Sequence, residues 1–277
     1  EKYVQFVAEG RPSALILENV PGMRVAHGAR NVIKLRNKAG AVPSKTSFYD
    51  RLAQSLGRLG YDVEAVLLDA SKFGVPQKRS RLIVVGLRRE LALELDGGIG
   101  RVIPLLEEAR REQLKEFGLR QGVTASDAIS DLEIRGKHLI DCTDTWSPAG
   151  FKELAYQQPK TRFQRLMHRD ASEMDSMRLA RHRPDIQDRF SRILAECRKG
   201  VRMDDKMRDA YGLRKHRIYP MSASDPAPTI TTLPDDVLHY SEPRILTVRE
   251  SARLQTFPDW FKFVGKYTTG GDRRGKE

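Results

Sequence analysis

Apolar positions in the first ninety residues change their period several times, and each change marks an element. Val4, Phe6 and Val7 recur at roughly helical spacing, and Gly10-Arg11-Pro12 ends that run. Ala14-Leu15-Ile16-Leu17 is then continuously apolar and enters the polar stretch Glu18-Asn19-Val20-Pro21-Gly22. This is the pattern of a strand buried on both faces, as in a parallel sheet, that runs into a loop. Residues 48–59 pattern as an amphipathic helix stopped at Gly60, and residues 63–68 and 81–86 pattern as strands. Strand, helix, strand and strand in so short a span predict an α/β layered architecture.

Beyond about residue 90 the periodicity weakens, and no internal repeat or low-complexity tract is present. Pro226 and Pro228 punctuate a loop before Thr229-Ile230-Thr231-Thr232. Thr247-Val248-Arg249-Glu250 has the form of a capping box: the threonine accepts from the amide three residues on, and the glutamate reaches back. It predicts a helix through Leu254 and Gln255, ended by Phe257-Pro258. The polar, Gly-rich residues 268–277 are expected to fray.

Charge sharpens this division. The 277 residues carry a net charge of +12, and the stretch 151–219 alone contributes 18 Lys/Arg against 10 Asp/Glu. A set of solvated helix faces would account for it, and so would a basic module that meets a polyanion beside the α/β region. The two cysteines, Cys142 and Cys197, make neither a disulfide framework nor a zinc spacing, so no metal site is expected. The longest apolar runs are too short to cross a bilayer, and no leader pattern opens the chain. A reducing, cytoplasmic setting is the expectation.

Three stretches can carry chemistry. Glu18 ends an apolar strand, where open α/β folds bind ligands; a partly desolvated carboxyl there could hold a proton and accept hydrogen bonds, or it could be an ordinary loop acid. In Gly74-Val75-Pro76-Gln77-Lys78-Arg79-Ser80-Arg81, an extended backbone would turn Gln77, Arg79 and Arg81 to one side. Forked, always-charged donors suit phosphate oxygens and base carbonyls, while a basic strand edge also discourages aggregation. In Arg244 to Pro258, Arg249 and Arg253 lie four apart on one face of the capped helix, which packing alone could explain.

Together these stretches resemble the cytosine-C5 DNA methyltransferase family. ENVPG at 18–22 is similar to its ENV motif, GVPQKRSR at 74–81 to its Q-x-R-x-R motif, and RILTVRESARLQTFPDWFKFVG from Arg244 to the segment that returns to the catalytic domain. They occur in the family's order around a long variable interval, which in the family is the target recognition domain. PAPTITTLPDD, with Thr229-Ile230, resembles the pair that closes that interval. The resemblance implies a partial Rossmann-like S-adenosylmethionine-dependent methyltransferase domain plus a mixed target recognition domain. Its boundaries are 1–89 for the catalytic part, 90–243 for recognition, and 244–277 for the returning helix.

The resemblance also implies roles. Glu18 would contact the N3 and N4 edge of a flipped cytosine, Arg81 would bond its O2, and Arg79 would support the pocket and a phosphate. Gln77, Thr229 and Ile230 would belong to the DNA-binding set. The family's Pro-Cys nucleophile, its Gly-rich cofactor loop and its C-terminal Gly-Asn motif are not found, so no cofactor-binding residue is assigned here. The expected protein is a portion of a bacterial restriction-modification DNA (cytosine-5)-methyltransferase. S-adenosyl-L-methionine is its co-substrate, double-stranded DNA its partner, and a missing N-terminal part or a partner subunit completes it. A non-catalytic DNA-binding subunit, a degenerate paralogue and an RNA cytosine-5 methyltransferase are the competing readings. These residues alone are expected to transfer no methyl group; turnover in a methylation assay on the isolated polypeptide would overturn that.

Overall fold

In a computed structural model, residues 2–25, 46–213, 218–231 and 236–267 are described. The chain divides into two compact units, one of residues 1–69 with 80–113 and the other of residues 70–79 with 114–277.

The first unit holds α1 (Lys2–Gly10), β1 (Ala14–Asn19), α2 (Phe48–Arg58), β2 (Tyr61–Asp69), β3 (Ser80–Arg88) and α3 (Arg89–Glu94), and α4 (Val102–Phe117) begins in it. The elements expected from the hydrophobic pattern are all present. Ser47 and Asp50 close a capping box at the start of α2. The strand order is β1-β3-β2, and β3 is antiparallel to both neighbours. The parallel pairing expected for β1 is therefore corrected: β1 and β2 run in the same direction, but β3 lies between them. Their crossover thus skips one position in the sheet.

One face of this sheet is dry. Leu15, Leu82, Val84 and Ala65 are buried there, with Val7 of α1 and Leu56 of α2 over them. Gly86 sits at the centre of this face opposite both Leu15 and Val63, and a Cβ on it would lie 2.9 Å from the Leu15 side chain. Only hydrogen fits without moving the leucine. The other face is different, because Ile16 is 72% exposed, so β1 is buried on one side and not on two. The continuous apolar run encoded strand formation; it did not encode cover for both faces in this chain.

The second unit contains α5 (Ala125–Ile129), the hairpin β4 (Leu139–Asp141) with β5 (Lys152–Leu154), α6 (Arg162–His168), α7 (Pro184–Glu196), α8 (Asp205–Ala210), the short parallel pair β6 (Tyr219–Pro220) and β7 (Val237–Leu238), and α9 (Val248–Arg253). Its main apolar cluster joins Ile129, Phe163, Met221, Tyr240 and Leu254 from across the unit. A second cluster forms around Phe190, Ile193 and Met203. The predicted capping box stands: Thr247 caps α9 and Glu250 returns the bond. The helix is two residues shorter than expected, ending at Arg253. The expectation that 268–277 frays concerns residues outside those described.

Arg244, Arg249 and Arg253 are all buried, the last two at 0% exposure. Arg253 donates to both oxygens of Asp131, at 2.8 and 2.7 Å, and to both oxygens of Asp259, at 2.8 and 2.6 Å. Arg244 grips Glu250 with two 2.7 Å bonds and reaches Glu242 at 2.9 Å. Arg249 bonds Asp175 and the carbonyls of Pro258 and Phe261. Burial acts to raise the Glu250 carboxyl, and the Arg244 guanidinium, together with His239 and the Thr247 amide, more than reverses this, leaving it below the ordinary range. The packing explanation for Arg249 and Arg253 is the one the structure supports.

Breaking such a pair from one side strands buried charge and costs on the order of 3–5 kcal/mol. Arg253→Met, which leaves Asp131 and Asp259 facing each other without a cation, is expected to lower the second unit's stability by that order. Trp146 and Trp260, the chain's two tryptophans, both lie in this unit, so urea unfolding followed by their fluorescence reads it directly. An unchanged midpoint would mean that the network contributes nothing to stability.

Candidate functional site

Within the first unit, the face of the sheet opposite the helices carries Glu18 and Arg81. Glu18 pairs across the ladder with Ile83, and Arg81 lies two residues before Ile83 on the antiparallel strand. Period-two alternation therefore puts both side chains on one face as diagonal neighbours. Arg81 Nε meets Glu18 Oε1 at 2.5 Å, with the two side chains 22% and 55% exposed. Arg81 Nη1 donates to the Ser80 carbonyl at 2.9 Å. Among the described residues, Glu18 Oε2 and Arg81 Nη2 have no partner. The pair thus presents one free acceptor and one free fork donor from a rigid strand register. At this exposure it contributes at most about 1 kcal/mol to folding, so stability alone gives little reason for it.

The second unit holds the other residues singled out from the sequence. Gln77 is 1% exposed, which excludes it from a surface contact here; its amide points inward, 3.5 Å from the Leu254 carbonyl. The expected common side for Gln77, Arg79 and Arg81 needed an extended chain throughout, but β3 starts only at Ser80. Before it, Gln77 forms an isolated parallel bridge with Ala227 instead. Arg79 is half-buried; its carbonyl accepts from Ala70 at 3.1 Å, and its guanidinium has no partner among the described residues. Thr229 donates its hydroxyl to the Lys78 carbonyl at 2.7 Å. Ile230 is half-buried against the main apolar cluster. Residues 232–235 lie outside those described.

Sequence reasoning missed Ala227 and Asp225. Ala227 is 1% exposed and exchanges two backbone bonds with Pro76 and Lys78, while Asp225 meets Lys78 Nζ at 3.5 Å. The proline on either side of Ala227 was the visible signal, because prolines confine such a segment to extended backbone.

Neither cysteine resembles an activated nucleophile. Burial raises the Cys142 thiol, with nearby Glu153 and Asp144 adding to that and the Ser147 hydrogen bond opposing it. Cys197 is buried in the second apolar cluster. Cys142, Asp144 and Glu153 bring ligand-type atoms within 4.8 Å of one another, but Thr143, Ser176 and Tyr267 already donate to those carboxylates. No helix among the described residues is long and apolar enough to cross a membrane. At about neutral pH, iodoacetamide is expected to alkylate Cys142 at least about tenfold more slowly than free cysteine. A rate at or above that of free cysteine would mean an activated thiolate.

Comparison with known proteins places these features in context. The sequence profile for the C-5 cytosine-specific DNA methylase matches residues 2–275. Among curated relatives, the chain is 26% identical over 275 residues to the type II methyltransferase M.NgoFVII of Neisseria gonorrhoeae, covering 97% of this chain and 55% of that protein. It is 25% identical to the type II methyltransferase M.DdeI of Desulfomicrobium norvegicum, covering 96% of this chain and 58% of the relative. The DNA (cytosine-5-)-methyltransferase M.ApeKI of Aeropyrum pernix is 25% identical, over 95% of this chain and 68% of its own length. The chain spans little more than half the length of the first two. A crystal structure from E. coli, described as a prophage-encoded DNA modification methyltransferase, superposes with a TM-score of 0.53 at 21% identity, covering 94% of this chain and 64% of that one. This last likeness bears on fold alone.

Proposed function

The chain belongs to the C-5 cytosine-specific DNA methylase family, and from that premise we propose that it carries the cytosine-holding acid and base-recognition portion of a DNA (cytosine-5)-methyltransferase. The observation that supports this best is the Glu18–Arg81 pair, fixed on one sheet face with a carboxylate oxygen and a guanidinium amino group unclaimed. Cytosine offers a matching edge: N3 and the N4 amino group suit the carboxyl, and O2 suits the fork donor. A carboxyl that shares a proton with N3 draws electron density from the ring and makes C6 electrophilic. The base must leave the duplex stack for this edge and the C6 face to be reached together.

In this reading a cysteine thiolate from outside this chain adds to C6, and elimination follows methylation at C5 with loss of the C5 proton. S-adenosylmethionine is the family's methyl donor. The family's Gly-rich cofactor loop is not found in this sequence, so no residue of this chain is assigned to holding the donor. Residues 90–243, within which the stretch 151–219 carries 18 Lys/Arg against 10 Asp/Glu, serve as the target recognition region, where phosphate contacts supply affinity and loop side chains supply sequence choice. Double-stranded DNA is the substrate, in a bacterial restriction-modification setting. Arg79, with its unclaimed guanidinium, takes a phosphate or supports the pocket.

Two substitutions test the reading in the complete enzyme. Glu18→Gln keeps shape but donates and accepts differently at N3, and Arg81→Lys keeps charge but removes the fork. Each is expected to lower kcat by about 100-fold or more while duplex affinity stays within about threefold. Unchanged kcat in both variants would overturn the assignment. Tighter binding to transfer RNA than to duplex DNA at equal salt would instead favour the RNA-modifying alternative.

A further inference from the structure

The motif that resembles Q-x-R-x-R begins with a residue that the DNA-contact role does not fit. Gln77 is 1% exposed, and its side chain lies within the second unit. Around it the chain is fastened repeatedly to the 225–229 segment. The Ala227 amide donates to the Pro76 carbonyl at 2.9 Å, and the Lys78 amide donates to the Ala227 carbonyl at 2.8 Å. The Thr229 hydroxyl then takes the Lys78 carbonyl at 2.7 Å. Gln77 Nε2 points at the Leu254 carbonyl, at 3.5 Å, just past the end of α9. Three segments thus meet around Gln77: the loop before Arg79, the loop carrying Thr229, and the end of α9, where Leu254 belongs to the main apolar cluster.

We propose that Gln77 is a positioning residue of the methylation site, holding the 76–79 and 227–229 segments in register so that Arg79 and Thr229 are presented together, and that it does not itself touch DNA. The physical case is one of accounting. A buried amide is retained where it satisfies a backbone acceptor that an aliphatic residue would leave alone. The Leu254 carbonyl is such an acceptor, since it follows the last turn of a helix and cannot be met from within it. An exposed base-reading amide would need the opposite placement. The proposal rests on the DNA methyltransferase reading for its purpose, but its structural content can be measured without DNA.

The test uses the chain as it stands, with Gln77→Met, which preserves length and apolar volume and removes the donor, and Thr229→Val, which removes the hydroxyl. Amide hydrogen exchange at Lys78 and Ala227 is expected to rise about tenfold in Gln77→Met, while the amides of Arg165 and Cys197, bonded within their own helices, stay as in the wild type. Duplex DNA affinity is expected to fall about tenfold in each single variant and to fall no further in the double variant, because both act through one register. The slope of log affinity against log salt is expected to fall by about one in Gln77→Met, because Arg79 is no longer presented to its phosphate. Unchanged exchange at Lys78 and Ala227 would overturn the proposal, as would a rise shared by Arg165 and Cys197, which would mean general loosening. Additive losses in the double variant would also overturn it and return Gln77 to direct contact. If the wild-type chain binds no duplex DNA, the functional reading fails, and the exchange results still decide whether the clamp exists.

Discussion

The second unit is organised around buried guanidinium groups. An isolated charge in a low-dielectric interior is prohibitively costly, so each arginine of the 244–253 segment dictates where carboxylates must be. Arg253 holds Asp131, 122 positions away, at one point with its near neighbour Asp259, and Tyr156 and His168 complete their coordination at 2.8 and 3.0 Å. Arg244 pairs with Glu242 and Glu250, both close to it in the chain, and Glu242 makes the long-range link by accepting the amides of Ile134 and Arg135 at 2.7 and 2.8 Å. The forked geometry of arginine makes these contacts directional as well as attractive. Apolar clusters fill the volume around them, but they tolerate sliding, and the ion network does not.

His239 lies inside this network at 0% exposure, its Nδ1 accepting the Ser241 and Glu242 amides at 3.2 Å each. That arrangement fixes the proton on Nε2, which faces Glu250 at 3.7 Å. Burial lowers its basicity, Glu250 acts in the opposite direction, and Arg244 adds to the lowering. The ring therefore stays neutral and serves as an acceptor for backbone, a use for histidine that its presence in a sequence does not announce.

In the first unit the decisive constraint is strand register. A one-residue slip of β1 against β3 would send Glu18 to the helix-covered face and expose Leu15 and Leu17. Gly86 guards that register, because its missing side chain makes the space that Leu15 fills. The same alternation that builds the core thus places the acid and the guanidinium side by side on the open face. Function on that face comes at little cost to stability, since the pair is half exposed and its remaining polar atoms are solvated.

The sequence by itself determined the local elements and the chemistry available to them. The switch from helical to continuous apolar spacing located α1, β1, α2, β2 and β3, and the Thr247–Glu250 capping box located α9, because these signals depend only on neighbours along the chain. Ordered motifs also determined family membership, and with it the choice of Glu18 and Arg81. Only the tertiary structure decided the rest. Which strand lies beside β1 depends on long-range pairing, and a continuous apolar run reads the same in parallel and antiparallel settings. Gln77 looked like a surface donor because spacing cannot report burial, and Ala227 drew no notice because its part is played by backbone atoms that every residue has. Arg249 and Arg253 could be placed on one helix face, but their carboxylate partners lie up to 122 positions away. Charge pairing over such distances is fixed by the fold, since it is the cost of burying each charge alone that brings the partners together.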